Sequence, residues 1–370
     1  MGNRVGKWEG TWNIYLMDFS WIGRTFNYFW HGISTEMEFS SWDHLPDVVI
    51  IEVFKYLNDR DKANAALTCK NWARLFQTPC LWRHRHLDMG GYKATSNGLR
   101  ACQFAEKFGN YVRYLSISCS HPSYHTTKIF QKAMENLLFK LRQSSLIEFE
   151  LERLELDRFW KYESSRDRLI SSLAKFFKGQ RCLQIFDMTS AQFPVPGGCR
   201  VIEAVGNQSG TKLEYLYIED FFHSRLAVFQ VKRFRTAISR FTNLHYIALN
   251  YNCISEEILE IFTKTLKGKL ECMNLKVYRN DPHFHRISGY TWKMLHNACP
   301  KLTVTVWFES IASCTVTIPI LVKEMPVREM HLWTGYDDDN RYASMIKERC
   351  LDFKLCTDLL IDPTGNNFVL

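Results

Sequence analysis

Residues 244–254 read Leu244-His245-Tyr246-Ile247-Ala248-Leu249-Asn250-Tyr251-Asn252-Cys253-Ile254. Aliphatic residues stand at the first, fourth and sixth places, an asparagine at the ninth and an isoleucine at the eleventh. Apolar side chains two apart, with a side chain of another kind between them, follow the period of a strand. The opening six-residue signature recurs along the chain. It appears as Val112-Leu115-Ile117, Leu146-Phe149-Leu151, Leu183-Phe186-Met188, Leu213-Leu216-Ile218 and Leu270-Met273-Leu275, more weakly at Leu302-Val306, and again at Val327-Met330-Leu332. Counting the 244 copy in its place, successive starts lie 34, 37, 30, 31, 26, 32 and 25 positions apart. The gaps hold apolar stretches of helical period at 130–141, 169–177, 234–241, 258–266 and 292–298.

A strand and a helix repeated at about 20–29 residues or slightly more is the mark of leucine-rich repeats. The predicted fold class is therefore α/β, an irregular leucine-rich-repeat solenoid of strand–helix units over residues 105–332. Asn252 is the consensus asparagine, whose side chain satisfies backbone groups where the chain leaves the strand. Most other copies lack it, so their turns must be held in another way. A doubly wound nucleotide-binding sheet is disfavoured because no glycine-rich phosphate loop follows any strand. Gly197-Gly198, close after Pro194 and Pro196, reads as a turn.

In such a solenoid the strands line a concave face, and residues between the apolar anchors point into it. Those residues are Glu214, Tyr215, Tyr217 and Glu219, then His245, Tyr246, Ala248 and Asn250. Tyrosines and carboxylates on adjacent strands suit protein recognition, since tyrosine gives a large contact at low entropic cost.

Ahead of the repeats lies a short helical module. Leu45-Pro46-Asp47 opens a helix with proline at an early position, where its missing N–H costs nothing. Val48, Val49, Ile50, Ile51, Val53, Phe54 and Leu57 make that helix apolar on nearly every side, so several faces must be covered. Asn58-Asp59-Arg60-Asp61 breaks the run and supplies caps for a second helix. That helix carries Ala65, Ala66, Leu67, Cys69, Trp72, Leu75 and Phe76, and ends before Pro79.

The order Leu45-Pro46, helix to Leu57, Asp61, Cys69, Trp72, then Pro79-x-Leu81-Trp82 resembles the F-box, over residues 42–88. Lys62 departs from the leucine usual after the aspartate. The resemblance implies a helical bundle that docks a Skp-type adaptor of a cullin-RING ubiquitin ligase. Its adaptor-facing positions would be Leu45, Pro46, Val49, Ile50, Val53, Phe54, Leu57, Leu67, Cys69 and Trp72, with Pro79, Leu81 and Trp82 closing the bundle or tying it to the repeats. An F-box joined to irregular repeats is similar to the F-box only protein 39-like group. That similarity is carried by Leu154-Glu155-Leu156-Asp157-Arg158, Ile218-Glu219-Asp220-Phe221-Phe222-His223, Leu249–Ser255, and Asp281-Pro282-His283 with Trp292. It spans about residues 42–332. The aromatic leader 1–41 and the tail 333–370 match nothing in that group; the tail shows no polar cap, so the end reads as truncated.

The function implied is a substrate-recognition subunit, with the F-box on the adaptor and the repeats on a substrate protein. The alternative is a non-ligase interaction scaffold whose F-box is cryptic. No enzyme is expected: no Gly-x-Ser-x-Gly elbow or phosphate-cradling Gly-Lys-Ser/Thr pattern occurs. Neither cofactor nor metal is called for, because His84/His86 and Asp281/His283/His285 lack further ligands and Asp337-Asp338-Asp339 lacks the spacing of a calcium loop. The 12 cysteines contain no Cys-x-x-Cys pair and read as free thiols, with Cys69, Cys182, Cys253 and Cys272 as small buried apolar groups. The net charge of +8 is spread along the chain rather than gathered in a stripe, which argues against a nucleic-acid partner. No apolar run reaches the roughly 18 residues of a membrane span, and no basic localisation cluster is evident, so the expected location is cytoplasmic, with the nucleus left open.

Overall fold

The computed structural model describes residues 45–90, 93–118, 127–156, 163–223, 226–278, 281, 285–309 and 320–332, and two short strands at 360–361 and 368–369. The leader 1–41, the acidic triplet at 337–339 and most of the tail lie outside the described residues. The chain divides into two compact units, one ending at Gln77 and the other beginning at Thr78.

The first unit contains α1 (Asp47–Tyr56), α2 (Asp59–Ala66) and α3 (Lys70–Phe76). The backbone of Pro46 opens α1, accepting from the N–H groups of Val49 and Ile50. Asn58 and Asp61 cap α2 reciprocally: the Asp61 N–H donates to Asn58 Oδ1 at 2.9 Å, and Asn58 Nδ2 to Asp61 Oδ2 at 2.6 Å. The sequence predicts one helix through Phe76, and the structure breaks it at Leu67-Thr68-Cys69. Thr68 Oγ1 bonds back to the Ala65 carbonyl, and Cys69 turns extended so that its Sγ accepts the Trp72 N–H. Those two side chains compete with the helical ladder and win. Phe54 then meets Trp72 edge-on at 5.7 Å and Phe76 at 6.4 Å, while Arg74 reaches Asp47 at 2.6 Å. That pairing ties α3 to α1.

The second unit is a ladder of strands with helices packed on one side. Its strands are β1 (His84–Asp88), β2 (Tyr114–Ser118), β3 (Glu148–Glu152), β4 (Ile185–Asp187), β5 (Tyr215–Ile218), β6 (Tyr246–Asn250), β7 (Cys272–Tyr278), β8 (Thr303–Glu309) and β9 (Val327–Leu332). All nine are parallel and lie in chain order. Beyond β9 the sheet continues antiparallel through β11 (Phe368–Val369) to β10 (Leu360–Ile361). The helices are α4 (Ala94–Phe108), α5 (Thr127–Lys140), α6 (Glu163–Phe177), α7 (Val195–Ser209), α8 (Lys232–Ile238), α9 (Glu256–Thr265) and α10 (Gly289–Ala298). From α4 to α8 each packs on the next, as α9 does on α10. Strand-then-helix in strict order with a parallel ladder is the leucine-rich-repeat architecture.

The apolar signature does the burying. Its fourth and sixth places point to the helices, as in Phe149 and Leu151 or Leu216 and Ile218, and its first leucine is buried just before the strand. One backbone carbonyl then links each repeat to the next. The Glu214 carbonyl accepts from the N–H groups of His245 and Tyr246, and the His245 carbonyl from those of Glu271 and Cys272.

The turns lacking the consensus asparagine are held by left-handed backbone. Arg153, Glu155, Ser190, Gln192 and Asp220 all have φ between 42° and 61°. Such strain, of order 1–3 kcal/mol each, is offset by bonds between neighbouring turns: Ser190 N–H to the Glu219 carbonyl at 2.8 Å and Phe193 N–H to that of Phe221 at 2.6 Å. Where Asn252 is present, its Nδ2 donates to the Leu226 carbonyl at 2.9 Å, as the consensus role requires.

Three expectations are corrected here. Gly197 and Gly198 lie inside the first turn of α7 rather than in a separate turn. A Cβ on Gly198 would stand 2.5 Å from the Phe222 ring and 2.9 Å from that of Phe221, so glycine lets the helix seat on those rings. His84–Asp88 forms the first strand, within the segment read as F-box, and Trp82 stacks on Phe108 at 4.2 Å, so Leu81 and Trp82 begin the repeat unit. Finally, of the four cysteines expected to be interior only Cys253 is buried; Cys69, Cys182 and Cys272 are half-buried.

Candidate functional site

Two surfaces present themselves. On the first unit, Pro46 and Leu67 are exposed, and Leu45, Val49, Val53, Leu57, Cys69 and Trp72 are half-buried. Ile50 and Phe54 lie in the interior, because positions four apart share one helix face and that face meets α3. The apolar surface also includes residues that the pattern did not single out. Val48 is 70% exposed and Tyr56 77%, beside Leu67 at 85%. Apolar groups of this size left in solvent on three short helices make a contact surface.

The second surface is the side of the ladder away from the helices. Strand alternation and register place side chains there in rows. One row runs His84, Tyr114, Glu148, Ile185, Tyr215, Tyr246 and Cys272. The next runs His86, Ser116, Glu150, Asp187, Tyr217, Ala248 and Asn274. The predicted tyrosines fall together: Tyr217 and Tyr246 have ring centroids 4.8 Å apart, and Tyr215 and Tyr246 6.3 Å. Ala248, with only a methyl group, lets the two closer rings tilt toward each other.

The remaining predicted residues of this face are placed differently. Glu214 and His245 stand before their strands, at the linking carbonyls, and Glu219 comes just after β5. Asn250 is 3% exposed. Its Oδ1 accepts the Asp220 N–H at 2.6 Å and its Nδ2 donates to Asp220 Oδ1 at 3.1 Å. Lys276 Nζ and Tyr278 OH both reach Asp220 Oδ2, at 3.0 and 2.9 Å. Asn250 therefore fixes the turn after β5 from below the surface. This buried network joins β6 and β7 to a left-handed Asp220.

What the sequence pattern did not reveal is the acid beside the tyrosines. Glu148, Glu150 and Glu152 alternate along β3 with the buried Phe149 and Leu151, and Asp187 stands opposite Glu150. The rule applied to Tyr215 and Tyr217 would have found them. Burial, and after it the charge of Asp187, pushes the Glu150 carboxyl up to about 7; Glu148 is raised by the same two causes. Elsewhere, His285 Nε2 lies 2.8 Å from the Ile254 carbonyl and its ring stacks on Phe229 at 4.1 Å. That is a packing role. His283, its companion in the motif, lies outside the described residues. Among the described residues no group of three or more His, Cys, Asp or Glu side chains could hold a metal ion, and no helix is long and apolar enough to cross a membrane.

Comparison with known proteins places the first surface. The F-box-like family model matches residues 42–88. These residues form an F-box domain. The chain is homologous to F-box/LRR-repeat proteins. It is 24% identical to F-box/LRR-repeat protein 21 of Mus musculus over 290 residues, 75% of this chain and 61% of that protein. The Ovis aries counterpart is 24% identical over 278 residues, 72% and 59% of the two chains. F-box/LRR-repeat protein 12 of Mus musculus is 42% identical over 45 residues, 12% of this chain and 14% of that one. The chain thus spans about three fifths of the length of the F-box/LRR-repeat 21 proteins. A solved structure, the leucine-rich repeat-containing protein LegL7 from Legionella pneumophila, aligns at a TM-score of 0.33 and 11% identity, covering 62% of this chain and 78% of that one. The parallel ladder itself, rather than that overlap, establishes the repeat architecture here.

Proposed function

We propose that the chain is the substrate-recognition subunit of a Skp–cullin–F-box ubiquitin ligase, its F-box on a Skp-type adaptor and the open face of its ladder on a substrate protein. The observation that carries this reading is an F-box domain succeeded directly by a leucine-rich-repeat ladder. Such a subunit makes and breaks no bonds. It raises the effective concentration of substrate beside the charged ubiquitin carrier. Within the F-box/LRR relatives the chain sits nearest the F-box only protein 39-like group, on the stretches around Ile218–His223 and Leu249–Ser255, and works in the cytoplasm or nucleus without nucleic acid or membrane.

The exposed Leu67 and Val48, with half-buried Leu45, Val49 and Val53, supply the apolar anchors such docking uses. The test is capture of recombinant Skp-type adaptor by the full chain and by a Leu45→Ala/Pro46→Ala variant. Capture by the parent and visible loss in the variant is expected, since central anchors cost about 2 kcal/mol or more each. A folded parent that captures none overturns the ligase reading. One observation favours the second reading, a scaffold with a cryptic F-box: Ile50 and Phe54, two of its large apolar groups, are already buried within the chain.

A further inference from the structure

We propose that the open face of β3–β6 seats an extended, arginine- or lysine-bearing segment of a partner protein, the cation lying between Glu150 and Asp187 and the adjoining residues on the tyrosines of β5 and β6. The proposal rests on the reading of that face as the substrate side and names the chemistry of what it takes.

Charge is the first argument. The chain carries +8 overall, yet the open-face strand positions from β1 to β6 hold no lysine or arginine, while β3 and β4 place carboxylates there. The basic excess lies elsewhere. A phosphate-rich or acidic partner is repelled from this face and a basic one is drawn to it.

Geometry is the second. Tyr217 is the register partner of Asp187, which is itself the partner of Glu150. A cation seated on the two carboxylates therefore lies beside an aromatic ring, where ring face and carboxylate attract it together. Tyr246 extends the platform at 4.8 Å from Tyr217, and Tyr215 closes its near side. From β3 to β6 is three strand spacings, about 14 Å, which about four extended residues span. The motif taken is thus one basic residue with large apolar or aromatic residues within about four positions of it.

Desolvation agrees with both. The raised Glu148 and Glu150 show that the face holds its negative charge at a cost, and a bound guanidinium or ammonium relieves that cost.

The probe is a fluorescein-labelled peptide of Gly-Ser-Arg repeats and its twin with Glu in place of Arg, titrated with the full chain and read by fluorescence anisotropy at physiological ionic strength. The Arg peptide should bind and the Glu peptide should not. Glu150→Gln/Asp187→Asn, which keeps shape and the Thr189 N–H bond to residue 187, should weaken binding by about tenfold or more, as should Tyr217→Ala. Glu260→Gln, an exposed carboxylate on α9, should leave binding unchanged. Equal binding of the twins, or equal loss in Glu260→Gln, overturns the proposal. Adaptor capture is measured on the same preparations. Retained capture with no peptide preference defeats the face alone, whereas peptide preference without capture defeats the ligase reading and leaves the face standing.

Discussion

Glu150 shows what a single position on a packed sheet can cost. Its carboxyl stands at about 7 because burial disfavours the charge and Asp187 adds to that penalty. The folded value is raised above that of the unfolded chain, so between the two the folded state binds a proton that the unfolded state has lost. The stabilisation is full below the unfolded value and is lost as pH rises through about 7. Glu150→Gln keeps the shape without the charge. Its melting temperature should exceed the parent's above neutrality, with the gap closing in acid, as thermal melts in the two buffers would show. A gap of the same size in both would assign the effect to packing instead. Gly198 is the steric counterpart. Its neighbours Phe221 and Phe222 are themselves buried and cannot swing away, so Gly198→Ala should cost about 1–3 kcal/mol by overpacking. Urea denaturation measures that cost directly.

At the scale of elements, the cap at Asn58 starts α2, whose eight residues bury no side chain of their own. A helix without a buried face depends on its ends. Asn58→Ala should therefore lower the local stability of α2 by about 1 kcal/mol, seen as faster amide exchange over 59–66 with the ladder unchanged. Elements whose sequence matches their packing were legible. Every copy of the signature from Leu146 to Leu275 becomes a strand because its three apolar places are the buried ones, and the five helical gaps become helices. Elements whose residues answer to something further away were not. His84–Asp88 carries one core leucine, Leu87, and pairs because β2 offers it an edge. The glycines of α7 contradict helical propensity and are there for two phenylalanine rings. The break between α2 and α3 hides in an apolar run, since Thr68 and Cys69 act through local bonds that periodicity does not register. On the open face the tyrosines were visible as an interruption of the leucine pattern, whereas Glu148, Glu150 and Asp187 acquire meaning only when register sets two strands side by side.

For the ladder as a whole, the consequence of strict neighbour order is that damage should stay local. Each strand pairs only with the strands before and after it, and helices pack mainly on their neighbours. Stability in such a stack is nearly a sum of repeat terms and interface terms. Phe177, at the end of α6, tests this because it joins adjacent repeats: its ring lies 4.9 Å from Phe149 on β3 and 5.2 Å from Phe186 on β4. All three rings are fully buried. Phe177→Ala removes the shared ring and should cost about 3–5 kcal/mol. Amide exchange should then quicken across β3, β4, α6 and α7 while β7 and β8, three interfaces away, keep most of their protection. If all nine strands lose protection equally, the ladder unfolds as one cooperative body, and the interface terms between repeats outweigh the stability of any single one.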